Sequence, residues 1–229
     1  NEIRSSQLLT TFGPGAMMDL PDGSVIVGGL DNWRYSPGVQ PMIEEPRLVA
    51  KLRARLQKPT LVLKSPPASS DDPTAGKPGI VVWQFPRWFL VQNTETLPQA
   101  PGNRRRLVPQ SQLVNGKYKE GEKSYDAVPV RFVRACEHGH VDDIDWPAFI
   151  HGYAGGCGGS LHLEERSTTG ALADVWAICS CGEKRSLAQA AVKGSKALGR
   201  CGGARPWLGS FSHEDCEQLS RLLIRSASN

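Results

Sequence analysis

Apolar positions along the chain form short runs whose period changes from segment to segment. Residues 24–28 (Ser-Val-Ile-Val-Gly) are an apolar run between turn residues, which predicts a buried strand. Residues 60–64, 80–84, 88–92, 128–133, 161–163 and 173–178 read as further strands. Leu48, Leu52 and Leu56, with Val49, recur at helical spacing and predict an amphipathic helix over 44–58. Pro46 suits its first turn and Pro59 ends it. Asp145 before Trp146-Pro147 predicts the cap of a short helix. Residues 186–198, opened by Ser186 and stopped by Gly199, predict another helix, and residues 216–225 a last one. Residues 65–79 are rich in Pro, Ser, Asp and Gly, and residues 93–126 are polar and turn-rich. Poor order is expected in parts of 65–79 and 95–125. No internal repeat is visible.

These elements add up to an α+β fold of irregular mixed strands and short helices. With 229 residues there is room for one large domain or two small ones. The texture changes near residue 127, which predicts an N-terminal α+β module over 1–126 with a basic, loop-rich middle. A metal-stabilised α+β module over 127–229 follows and is expected to continue beyond this chain. The first residue is Asn1 rather than Met, so the sequence reads as part of a longer protein. The apolar runs fall far short of the roughly 20 residues of a membrane span. No basic-then-apolar leader opens the chain, so a cytoplasmic location is expected.

Charge sharpens this picture. Residues 51–135 carry fifteen basic and six acidic side chains, against three and six in residues 1–50 and nine and eleven in residues 136–229. A basic block attracts polyanions, or else solvates a surface facing an acidic partner. Arg53, Arg55 and the run Arg104-Arg105-Arg106 are its candidate nucleic-acid contacts. The glycine-rich turn at residues 11–16 lacks the GxGxxG or GKS/GKT pattern of a phosphate cradle.

All six cysteines lie at or beyond Cys136. Without an export signal, a disulfide framework is disfavoured and metal binding is the better reading. Cys157, Cys179, Cys181 and Cys201 form the first candidate set, a closed four-cysteine zinc site of structural type. Glycines flank Cys157, Cys181 and Cys201, so the backbone can wrap closely and donate N–H groups to sulfur. The near pair is CxC rather than the usual CxxC. Cys136, His138, His140 and Cys216 are alternative ligands that could enter this site or build a second one. A closed all-cysteine set leaves no open position for a catalytic water, and there is no GxSxG, HExxH or Walker A motif. An enzyme is therefore not expected. The competing reading is a hydrolase or nuclease accessory using Cys136, His138, His140 and Asp143.

Several long motifs carry a resemblance. They are Arg4-Ser5-Ser6-Gln7 with Phe12-Gly13-Pro14-Gly15-Ala16, Gly29-Leu30-Asp31-Asn32-Trp33, and Phe85-Pro86-Arg87-Trp88-Phe89. They continue with residues 129–140, Asp143-Ile144-Asp145-Trp146, Cys179-Ser180-Cys181-Gly182, residues 201–209 and residues 221–229. Together they resemble the start of the DrmB family of the DISARM anti-phage system, whose members carry a DUF1998 region. The resemblance implies a non-catalytic subunit that works with a helicase-like ATPase, DrmA, and engages phage DNA with free or single-stranded ends. It places the DUF1998 region after residue 229. Residues 89–93 lack the cysteine that the family often carries there, which argues against a further zinc knuckle at that point. A pure protein–protein adaptor is the third reading, with Trp33, Trp88, Trp146 and Trp207 as possible anchors, or else as core residues.

Overall fold

The computed structural model describes residues 4–20, 23–38, 42–67, 77–93, 103–209 and 212–225. A short helix α1 (Ser5–Thr10) leads into a hairpin of β1 (Met17–Leu20) and β2 (Gly23–Val27). Helix α2 (Pro46–Leu56) follows, then β3 (Val82–Gln84), which pairs with β2 to complete a three-stranded sheet. Next come β4 (Trp88–Val91), β5 (Asn103–Pro109), β6 (Leu113–Val114), β7 (Lys117–Glu120) and β8 (Lys123–Pro129). β9 (Phe132–Ala135) and β10 (Val141–Asp142) form a tight hairpin, and α3 (Trp146–His151) follows. The chain ends through β11 (Leu161–Glu165), β12 (Val175–Cys179), β13 (Lys184–Ser186), the single turn α4 (Ala188–Ala191) and β14 (Arg221–Ile224).

Eight of these strands make one antiparallel sheet in the order β13-β12-β11-β5-β4-β8-β7-β6. Alternation along β4 and β5 fixes its two faces. Leu90 opposes Leu107, and both enter the main core with Leu161, Leu163, Val175 and Ala177. Phe89 opposes Val108, and both pack with Val91 on the other face, beside Tyr118 and Tyr125. A one-residue slip would exchange the faces, so burial on both sides pins the register. Helix α3 lays Trp146, Phe149 and Ile150 into the main core. Asp145 caps it by accepting from the Ala148 N–H at 3.0 Å, as the sequence predicts. A third sheet, β10-β9-β14, carries the C-terminal strand.

The structure departs from the sequence reading in several places. Residues 103–125 are well-formed strands, and β5 lies in the middle of the large sheet. The arginine run disguised it, because its charges find carboxylates across the sheet. Arg104 pairs with Glu164 at 2.6 Å, Arg105 with Glu165 at 3.1 Å and Arg106 with Glu120 at 3.1 Å. Since β5 pairs with β11, this sheet runs across the module boundary expected at 126/127. Residues 60–64 make only an isolated bridge between Met42 and Lys64. The helix expected over 186–198 shrinks to α4. Ser186 is the last residue of β13, Gly194 takes φ 76°, and the Ser195 hydroxyl donates back to the Gln189 carbonyl. Residues 221–224, expected in a helix, pair with β9 instead, Leu223 opposite Val133, so tertiary pairing overrides local helical preference. Residues 68–76 and 95–102, within the spans where poor order was expected, lie outside the described residues.

Candidate metal centres

Two groups of four donor atoms, each within 4.8 Å of one another, bring together all six cysteines and two histidines. The first is His151, Cys157, Cys179 and Cys181; the second is Cys136, His140, Cys201 and Cys216. A tetrahedral zinc ion sets sulfur–sulfur edges of about 3.8 Å and sulfur–nitrogen edges of about 3.5 Å, from Zn–S near 2.3 Å and Zn–N near 2.05 Å. Four of the separations are 3.3, 3.4, 3.4 and 4.0 Å, and all are within 4.8 Å. They are far longer than a disulfide bond, and the donor set is the one a soft divalent ion takes.

The first centre sits at the end of the large sheet where β11 begins and β12 ends, with Leu161 opposite Cys179. Cys179 is buried at the end of β12, and Cys181 follows in the turn to β13. Cys157 reaches in from the loop before β11, with its Sγ 3.4 Å from that of Cys179. The Gly159 N–H donates to Cys157 Sγ at 3.4 Å. A Cβ on Gly159 would stand 2.8 Å from Cys179 Sγ and 2.7 Å from Ser180 Oγ, so only glycine lets the loop close on the sulfurs. The fourth donor comes from the last turn of α3. His151 Nδ1–H donates to the Pro147 carbonyl at 2.8 Å, which turns Nε2 toward Cys181 Sγ at 3.4 Å. A ligand histidine is held this way when its second nitrogen bonds a carbonyl or carboxylate. The Gly159 N–H, then the neighbouring thiols and His151, draw the Cys157 thiol down to about 7, whereas burial pushes Cys179 up. The Pro147 carbonyl, then Cys181, raises His151 to about 9.

The second centre joins two tight turns. In the β9–β10 turn the Cys136 N–H donates to the His140 carbonyl, and Cys136 Sγ lies 3.3 Å from His140 Nδ1. Facing it, the Gly203 N–H donates to Cys201 Sγ at 3.3 Å. Gly203 has φ 66°, and a Cβ there would overlap the Glu214 carbonyl oxygen at 1.6 Å. Cys216 closes the set, with its Sγ 4.0 Å from that of Cys136. His140 is 1% exposed, and its Nε2 meets a Glu214 carboxylate oxygen at 2.5 Å. Arg205 holds the other oxygen of that carboxylate. This Arg–Glu–His chain orients Nδ1 toward the thiols and fixes the tautomer a metal would need. Burial works against the Cys136 thiolate, but N–H groups of His140 and His138 prevail and bring it down to about 7; burial raises Cys201 to about 11.

The structure thus keeps Cys157, Cys179 and Cys181 together but places Cys201 in the other group. The chain leaves the large sheet after Ser186, and from Gly199 it runs beside the segment that leads into β14, where the Cys201 N–H bonds the Gln218 carbonyl. Of the alternative ligands, Cys136, His140 and Cys216 fall in the second group. His138 lies just outside it, with Nδ1 3.8 Å from Cys216 Sγ. His151 was missed at the sequence level. Its signal is positional: it follows the capped Pro147 by four residues and precedes the Gly-rich Cys157 loop.

The remaining candidates have other partners. Asp143 is buried and accepts from both the backbone N–H and Nε of Arg87, so it stands apart from the Cys136 group. Arg104, Arg105 and Arg106 are ion-paired in the sheet, as described above. Arg53 donates to the Leu61 carbonyl, and Arg55 is exposed. Trp146 is fully buried, Trp88 and Trp207 pack against core clusters, and Trp33 Nε1–H bonds the Gly28 carbonyl. Three of these four thus serve the interior, and Trp33 is half-buried. Among the described residues no helix is long and apolar enough to cross a membrane.

A family model described as "Domain of unknown function (DUF8724)" matches residues 4–229. The DISARM protein DrmB of Bacillus paralicheniformis is 31% identical over 120 residues, which is 52% of this chain and 21% of that protein. The alignment thus spans about a fifth of the relative's length.

Proposed function

The chain belongs to the family of DUF8724 domains, and from that footing we propose that it is a zinc-stapled, non-catalytic portion of a DISARM-type anti-phage subunit. The reading draws on the similarity to DrmB and on the two Cys3His groups. Zinc is the ion this donor set fits best: three thiolates and one imidazole, four-coordinate, with no position left for water. His151 and Cys157, Cys179 and Cys181 would hold one ion, and His140 with Cys136, Cys201 and Cys216 the other. Each would supply folding energy where short strands and long loops bury too little apolar surface.

In this proposal the scaffold binds a helicase-like ATPase of the DrmA class in the cytoplasm, and contact with phage DNA is made by the assembled complex. The adaptor reading is favoured over direct DNA contact by one observation. The densest cationic run, Arg104 to Arg106, is occupied by Glu164, Glu165 and Glu120. A Cys/His-dependent hydrolase is disfavoured because Cys136 and His140 share one closed donor set with Cys201 and Cys216, and Arg87 engages its proposed Asp143. Co-purification with a DrmA-type ATPase tests the role. Retention of the ATPase by wild type, and its loss on chelating the metal, is the expected outcome. An ATPase that binds equally well after chelation would contradict a metal-held scaffold.

A further inference from the structure

Helix α2 is the one long element whose apolar face the described residues leave open. None of its residues is fully buried; Leu48 is 46% and Leu56 53% exposed, while Val49 and Leu52 are half-buried. Met42, Ile43 and Val62 on the flanking segments are also exposed. An isolated helix of this length is marginal in water, because packing of the apolar face normally supplies most of its stability. Charge makes the isolated state worse. Residues 46–64 contain Arg47, Lys51, Arg53, Arg55, Lys58 and Lys64 and no acidic residue. Arg47, Lys51 and Arg55 follow one another at four-residue spacing, and like charges at that spacing repel. All three are exposed and have no carboxylate partner among the described residues.

The spacing puts two ladders side by side on the helix. Leu48, Leu52 and Leu56 form the apolar ladder, and each cation of the second sits one residue ahead of a leucine. We propose that this double ladder is a docking surface for an acidic amphipathic segment of another protein, one that lays an apolar strip on the leucines and a row of carboxylates on Arg47, Lys51 and Arg55. A nucleic-acid backbone would satisfy the cations and leave the leucines in water. An acidic protein segment satisfies both, and the attraction between opposite charges would speed and orient the encounter. The inference goes beyond the proposed function and needs neither metal centre.

The test is fluorescence anisotropy with three labelled probes. One is a synthetic helical peptide with a leucine ladder beside a glutamate ladder; the second has lysine for glutamate; the third is single-stranded DNA. The expected result is saturable binding of the glutamate peptide alone, with a dissociation constant of order micromolar. Arg47→Glu/Lys51→Glu/Arg55→Glu should weaken it by about tenfold or more and gain the lysine peptide instead. Leu48→Ser/Leu56→Ser should weaken it by about tenfold with charge unchanged. Arg47→Gln/Lys51→Gln/Arg55→Gln keeps helix-forming residues and should fall between, which guards against a melted helix. Lack of saturable binding to the glutamate peptide would overturn the proposal. So would DNA binding that the charge variants abolish and the leucine variant keeps. Zinc content measured on the same samples separates this outcome from a failure of the metal reading.

Discussion

Glu214 shows how much of a metal site lies outside its ligands. Its carboxylate joins Arg205 to His140, so it aims a buried imidazole. Glu214→Gln should lower affinity at the second centre by about 10- to 100-fold, the usual range for an outer partner of a metal-bound histidine. Competition with a chromophoric chelator would read this, and the first centre should be untouched. Protonation gives a second residue-level expectation. Zinc binds thiolates, so loading releases whatever protons the thiols still hold. Cys201, raised to about 11, gives up its proton at any physiological pH. Cys136 and Cys157, drawn down to about 7, are mostly thiols at pH 6 and mostly thiolates at pH 8. These two thiols should therefore release about 1.6 fewer protons on loading at pH 8 than at pH 6. Calorimetry in buffers of different ionisation heat measures this, and a constant release would refute the assignment.

At the scale of elements, β5 and β11 are tied by charge as well as by their ladder. The Glu164 side chain is 1% exposed and lies between Arg104 and Arg166. Burial opposes its ionisation, but hydrogen bonds and charge from Arg166 and Arg104 hold its carboxyl below the usual glutamate value of 4.5. A depressed pKa contributes stability that is full above that value and is lost as pH falls through the folded pKa. Thermal melts should therefore drop below about pH 4.5 more steeply in wild type than in Glu164→Gln. Arg104→Ala should cost about 3 kcal/mol, the low end for a broken buried pair, because Arg166 remains. Denaturant unfolding measures it. These strands were the least legible part of the chain. Three adjacent arginines in a polar, turn-rich segment read as nucleic-acid contacts, because the carboxylates that neutralise them lie far away in sequence. By contrast α2, α3 and β2 were visible from local pattern, since a proline, a capping aspartate and a bounded apolar run act within one turn or strand.

For the molecule as a whole, the sequence showed that the cysteines cluster in the second half and suit a metal, but not how they divide. Division depends on where β12 and β14 deliver their flanking loops, and that is set by long-range pairing. Cys201 follows the chain to the sheet of β9, and the vacancy it leaves is filled by His151 at the end of α3. A four-cysteine site was the natural reading of spacing alone; the fold assembles two Cys3His groups that could each hold an ion. The two centres hold different parts of the architecture. The first clips α3 to the end of the large sheet, and the second ties the β9–β10 turn to the segment that leads into β14. The most direct test is native mass spectrometry of zinc per chain in wild type, Cys157→Ser and Cys201→Ser, with the double variant as control. Two ions in wild type, one in each single variant and none in the double variant is the expected pattern. A single ion in wild type, lost equally in both single variants, would mean that Cys157 and Cys201 share one site and would contradict the account.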